Sequence, residues 1–86
     1  MTEHKKVMKF LKRFKKNWTN QEIPDFMINN NTLLAEHKRF LYEIRILNDY
    51  VAVYQCFEDE TQEKICSSKV SRKYLDDLIF WLNKNA

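Results

Sequence analysis

The stretch from Phe40 to Phe57 restricts the fold of this chain more than any other. It is rich in aromatic and β-branched residues, and the polar pair Asn48–Asp49 divides it into two halves. That composition predicts two antiparallel strands joined by a two-residue turn. One side of the hairpin is then almost wholly apolar and must be covered by another element. The facing pairs on that side are Ile46 with Val51, Ile44 with Val53 and Phe40 with Phe57, and Tyr42 points the same way.

A third strand is predicted from Glu63 to Ser68, after a polar loop. A three-residue loop over residues 60–62 would place Glu58 opposite Lys64, which is a favourable pair of opposite charges. A shift by one residue would oppose two glutamates instead, so we expect the first register. That register also pairs Phe57 with Ile65 and Cys56 with Cys66.

Two amphipathic helices are predicted at the ends of the chain. The first runs from about Glu3 to Asn17, because apolar residues recur there at helical spacing with lysines between them. The last begins at Ser71, a favourable N-cap residue. The apolar stripes are Val7, Phe10, Leu11 and Phe14 in the first helix, and Leu75, Leu78, Ile79 and Leu82 in the last.

The segment between the first helix and the hairpin is the least clear. Thr19 could cap a short second helix, while the residues from Thr32 to His37 could form a short strand or the end of a helix. We therefore expect one α+β domain over residues 1–86. It is a two-layer sandwich, in which a three-stranded antiparallel meander packs against the N-terminal and C-terminal helices. The element order is a helix, a short helix or strand, three strands and a helix.

Composition argues against several classes of protein. The chain contains no glycine, which phosphate-cradling and dinucleotide-binding loops require. Its two histidines are not at ligand spacing from its two cysteines, so we expect no metal site. The lack of a secretion signal indicates free thiols. No nucleophile, base and orienting group can be identified together, so we expect neither a cofactor nor enzymatic activity. The sequence has neither an apolar run of transmembrane length nor the apolar core of a signal peptide. We therefore expect a cytoplasmic protein.

The second side of the sheet is a candidate binding surface. It mixes tyrosines, an arginine and aliphatic residues, a combination common in protein interfaces, and these rings could also stack on unpaired bases. Alternatively, it is an ordinary solvent-facing surface, or the N-terminal region or residues 32–37 cover it. The predicted members of this side are Leu41, Glu43, Arg45, Leu47, Tyr50, Ala52, Tyr54, Cys56, Lys64, Cys66 and Ser68. We select Leu41, Arg45, Tyr50 and Tyr54 as the candidate protein-binding residues.

The positive charge is concentrated at the N-terminus. The net charge is +3, but residues 1–18 contribute 7 − 1 = +6 and the remainder contributes 8 − 11 = −3. A basic amphipathic helix can show its lysines to solvent, bind nucleic acid, lie on an anionic membrane or dock in a partner's groove. The candidate nucleic-acid-binding residues are Lys5, Lys6, Lys9, Lys12, Arg13, Lys15 and Lys16, with Lys69, Arg72 and Lys73 at the start of the last helix.

The order of a helix, three strands and a helix resembles that of double-stranded RNA-binding domains. That family has a lysine cluster at the start of its second helix, where this chain has Lys69, Arg72 and Lys73. The resemblance implies that these cations contact phosphates. The chain departs from the family in lacking its glycine-containing loop, and in carrying the bulky Tyr74 and Trp81. The three strands and helix are also similar in order to the arm-binding domains of some integrases.

Together, these patterns predict a small non-enzymatic binding protein. We expect it to act as a regulator, adaptor or inhibitor of a larger protein. The alternative is binding of RNA or DNA through the basic helix and the start of the last helix. Membrane attachment is a weaker alternative, and the oligomeric state stays open. The glycine-free composition, rich in lysine and asparagine, would suit an AT-rich genome, such as that of a phage or virus.

Overall fold

Two helices and four antiparallel strands make up the described part of the chain, which in this computed structural model comprises residues 2–17, 32–37 and 39–84. The α+β class and both flanking helices are confirmed. The predicted short helix after Trp18 lies outside the described residues. In chain order the elements are α1 (Glu3–Asn17), β1 (Thr32–His37), β2 (Phe40–Leu47), β3 (Tyr50–Cys56), β4 (Gln62–Lys69) and α2 (Arg72–Lys84).

The sheet has four strands in the order β1-β2-β3-β4, so the prediction of three strands is wrong. The ambiguous segment from Thr32 to His37 is a strand, and it pairs antiparallel with β2. Leu33 lies opposite Ile44 and is completely buried. The extra strand forms because the apolar side of β2 can bury Leu33 while the β2 backbone gains a second set of hydrogen-bond partners.

The β2–β3 hairpin confirms the predicted turn and register. Asn48 and Asp49 connect the strands, and Asn48 adopts a positive φ of 57°, which asparagine tolerates better than most residues. Ile46 faces Val51, as expected. The pairing ends one residue before the predicted pair of Phe40 and Phe57, and both of these rings are exposed.

The predicted register of the third and fourth strands of the sheet is wrong. Cys56 lies opposite Gln62, and a β-bulge between Val53 and Tyr54 shifts the pairing so that Val53 lies opposite Cys66. The cysteines are therefore not cross-strand neighbours. Cys66 is buried in the core, whereas Cys56 is half-buried.

The loop between β3 and β4 explains this register. The Thr61 amide and hydroxyl both donate to Oδ1 of Asp59, at 3.0 and 2.6 Å, and the Glu60 amide donates to the Phe57 carbonyl. The first two bonds lower the pKa of Asp59. These local bonds stabilise a five-residue loop. The predicted contact of Glu58 with Lys64 would have contributed only about 0.2–1 kcal/mol at the surface.

One hydrophobic core joins both helices to a single side of the sheet, here called the inner face. Ser71 caps α2 as predicted, because its Oγ accepts a hydrogen bond from the Tyr74 amide at 3.3 Å. The core side chains are Val7, Leu11 and Phe14 of α1, Leu33, Ile44, Ile46, Val51, Val53 and Cys66 of the sheet, Val70, and Leu75, Leu78 and Leu82 of α2. Both helices therefore pack on the same side of the sheet.

The N-terminus of α1 is fixed to the free edge of β4. A carboxylate oxygen of Glu3 accepts a hydrogen bond from the Ser67 amide at 2.9 Å, and Nδ1 of His4 lies 3.1 Å from the Lys69 carbonyl oxygen. These contacts occupy backbone groups that would otherwise be available to another strand.

Replacing Glu60 by glycine is expected to stabilise the protein. Glu60 has a φ of 69°, a conformation that costs a residue with a Cβ atom but not glycine. We expect Glu60→Gly to raise the free energy of unfolding by about 0.5–1 kcal/mol, measured by urea denaturation. The control is Glu58→Gly in the same loop, which should destabilise slightly. A loss of stability in Glu60→Gly would contradict the turn geometry.

The two thiols should differ in reactivity. Burial raises the pKa of Cys66, whereas Cys56 is on the other side of the sheet, where Nε2 of Gln62 donates to its Sγ at 3.3 Å. In the native protein we expect one thiol to react rapidly with an aromatic disulfide reagent, and the second only after unfolding. Cys56→Ser should remove the rapid phase. Two equally rapid thiols, or a spontaneous disulfide, would contradict the register.

Candidate functional site

The outer face is the side of the sheet opposite the two helices. Neither α1 nor α2 covers it, because both contribute their apolar stripes to the inner face. Its side chains alternate with the core residues along each strand. Its members on the last three strands are Leu41, Glu43, Arg45 and Leu47 of β2, Tyr50, Ala52, Tyr54 and Cys56 of β3, and Gln62, Lys64, Ser67 and Lys69 of β4.

The β-bulge corrects the predicted membership of this face. Cys66 and Ser68 were expected on it, but they pair with Val53 and Val51 and so belong to the inner face. Beyond the bulge the alternation of β4 changes phase, because one extra residue reverses which side each later side chain takes. Ser67 and Lys69 lie on the outer face instead of Cys66 and Ser68. Gln62, which was predicted to lie in the loop, also belongs to the outer face.

A connected polar cluster occupies the middle of the outer face. Nε and one terminal nitrogen of Arg45 donate to the same oxygen of Glu43, at 3.0 and 2.8 Å. The Gln62 amide nitrogen donates to that oxygen at 2.6 Å, and its carbonyl oxygen accepts a hydrogen bond from Arg45. The hydrogen bonds with Glu43 raise the pKa of Arg45. The guanidinium is therefore charged and held in one position.

The ring of Tyr54 lies against this guanidinium. The Arg45 Cζ atom is 4.1 Å from the centroid of the ring, a distance typical of a cation–π contact. Four side chains, Glu43, Arg45, Tyr54 and Gln62, thus hold one another in place. Binding of a partner would therefore cost little additional side-chain conformational entropy.

Exposed apolar side chains lie at both ends of the cluster. Leu47 is 76% exposed and faces Tyr50, which is 42% exposed and donates from its hydroxyl to Oγ of Ser67 at 2.7 Å. Leu41, at the other end of β2, is 43% exposed. The four predicted protein-binding residues lie on one face of the sheet. Arg45 and Tyr54 contact each other, whereas Leu41 and Tyr50 lie at opposite ends of the cluster.

Sequence reasoning did not select three of the residues that build this surface, although it placed two of them, Glu43 and Leu47, on this side. Leu47 is the most exposed apolar member, and strand alternation had already placed it on this side. Glu43 stands two residues from Arg45 in the same strand, a spacing that indicates a same-side ion pair. No sequence pattern indicated Gln62, because its role depends on the loop that sets the register.

Two basic residues of α1 contact other side chains of the same helix. Lys6 pairs weakly with Glu3 at 3.9 Å, and the Arg13 guanidinium lies 5.6 Å from the Phe10 ring. The other lysines are exposed on the side of α1 that points away from the core, as the helical period requires. They are Lys5, Lys9, Lys12, Lys15 and Lys16.

The cations at the start of α2 have three different surroundings. Arg72 bonds to the Asp76 carboxylate at 2.8 Å and donates to the Asn48 carbonyl at 2.6 Å, so it fastens the helix to the β2–β3 turn. Lys69 belongs to the outer face and Lys73 to the exposed side of α2. Because β1 adds a strand before the other three, the element order also differs from that of double-stranded RNA-binding domains.

Two further observations bear on function. Among the described residues, no group of three or more His, Cys, Asp and Glu side chains could hold a metal ion, and neither α1 nor α2 is long and apolar enough to cross a membrane. Comparisons with protein-family models, curated proteins and solved structures find no match.

Proposed function

We propose that this chain is a non-enzymatic binding protein that attaches to a larger protein through the outer face, as a regulator, adaptor or inhibitor. One observation carries the proposal: a rigid arginine–tyrosine cluster lies between exposed apolar residues on a sheet face that neither α1 nor α2 covers. Tyrosine and arginine are the residues that most often dominate binding energy at protein interfaces.

The pairing of the polar groups supports binding over catalysis. Glu43 is the acidic member of the cluster, and one of its oxygens accepts hydrogen bonds from both Arg45 and Gln62. These bonds commit that oxygen to holding Arg45 and Gln62, whereas a general base must be able to reach a substrate proton. The cluster therefore fits recognition of a surface better than proton transfer.

Charge indicates what kind of partner surface fits. On the outer face of β2, β3 and β4 the charged residues are Arg45, Lys64 and Lys69 against Glu43, a balance of 3 − 1 = +2. A complementary partner patch would offer polar groups to the central cluster, apolar surface at its two ends, and acidic groups towards Lys64 and Lys69. Leu47 and Tyr50 would bury most of their exposed apolar area in such a contact.

A matched pair of substitutions tests the proposal. Leu47 on the outer face and Phe80 on α2 are similarly exposed, at 76% and 70%. We expect Leu47→Glu to weaken capture of the partner from nuclease-treated lysate at least about tenfold, because a carboxylate would be desolvated in an apolar contact. Phe80→Glu should leave capture unchanged.

The captured protein would then be purified and its affinity for each variant measured directly. Unfolding curves of both variants should match that of the parent chain, since both positions are exposed. Full affinity in Leu47→Glu, or equal losses in the two variants, would refute binding through the outer face.

A further inference from the structure

A second surface lies in the helix layer, on the opposite side of the sheet from the outer face. Lys12, Lys15 and Lys16 of α1 line a shallow depression together with Tyr74 and Trp81 of α2. We call these five residues the helix seam. The Lys15 ammonium lies 5.1 Å from the centroid of the Trp81 ring, within the range of a cation–π contact. Positive charge and aromatic surface therefore meet at one place.

A row of lysines extends the seam along α1. Lys5, Lys9, Lys12 and Lys16 recur at intervals of three or four residues and are all exposed. At a rise of about 1.5 Å per residue, the row spans about 16 Å of the helix. A second depression beside it is lined by His4, Lys5, Met8, Lys9 and Lys12. The seam thus continues into a cationic track.

From this arrangement we propose that the helix seam and the lysine row bind single-stranded nucleic acid. The lysines contact successive phosphates, and a base displaces the Lys15 ammonium from the Trp81 ring and stacks there beside Tyr74. Cationic grooves interleaved with aromatic rings are the usual means of holding single strands without reading their sequence. The site is independent of protein binding at the outer face.

The burial of α1 favours nucleic acid over a membrane surface. An interfacial helix must insert its apolar stripe among lipid chains. In α1 three residues of that stripe, Val7, Leu11 and Phe14, are buried in the core, and the fourth, Phe10, is half-buried against it. The stripe is therefore not available to lipid, whereas the lysines of the row are exposed. A single strand fits better than a duplex, because stacking on a side chain requires a base that is not already stacked within a helix.

Binding of a fluorescently labelled single-stranded oligonucleotide, followed by anisotropy over a range of salt concentrations, tests the proposal. We expect the double variant Lys12→Gln/Lys16→Gln to lose about tenfold in affinity, and the slope of log affinity against log salt to fall by about 1.4, since each phosphate contact contributes about 0.7. The control, Lys64→Gln, removes a charge from the outer face. It should lose less than about twofold.

Tryptophan fluorescence gives a second readout. The chain has two tryptophans, so Trp18→Phe leaves Trp81 as the only one. Its emission should be quenched by the oligonucleotide in proportion to binding, as stacking requires. The proposal is overturned by equal or tighter binding of the matching duplex, by unquenched Trp81, by an equal loss in the control variant, or by binding of anionic phospholipid vesicles without binding of the oligonucleotide.

Discussion

The inner face of the sheet has to be kept from water, and the positions of both helices follow from that requirement. Ile44, Val51 and Val53 are completely buried beneath residues of α1 and α2. Each helix is amphipathic and would expose its own apolar stripe if it stood alone. Sheet and helices therefore stabilise one another. A chain of 86 residues is too short to build a second hydrophobic core. Loss of either helix would expose this core.

This packing divides the surface of the molecule into two unlike regions. The outer face has a paired arginine and exposed apolar residues, while the helix layer has exposed lysines beside aromatic rings. The first arrangement suits a protein surface, and the second suits a polyanion. Our two proposals together describe an adaptor that could hold a protein on one side and a nucleic acid on the other.

The sequence predicted those elements whose signals are local. The helix from Glu3 to Asn17, the Ser71 cap and the turn at Asn48 each depend on neighbouring residues, and each is confirmed. Strand β1 could not be distinguished from the end of a helix by sequence alone. The segment from Thr32 to His37 is short, and it becomes a strand only by pairing with β2.

The predicted register of β4 was wrong for a different physical reason. The prediction was based on a surface charge pair, whereas the hydrogen bonds of Asp59 and a β-bulge, which no sequence pattern indicated, set the observed register. The candidate outer face followed from alternation alone, so its central residues Arg45 and Tyr54 were found. The Gln62 contact and the helix seam depend on tertiary packing between distant segments, and the sequence could not place them.

NMR of the free protein with a soluble paramagnetic probe would show whether the outer face is open to solvent while the inner face is closed. We expect this difference between the two faces. The methyl signals of Leu41 and Leu47 should then broaden strongly, while those of Val51 and Val53 stay sharp. Protection of Leu41 and Leu47 comparable to that of the two valines would contradict the claim, because the proposed binding face would already be covered.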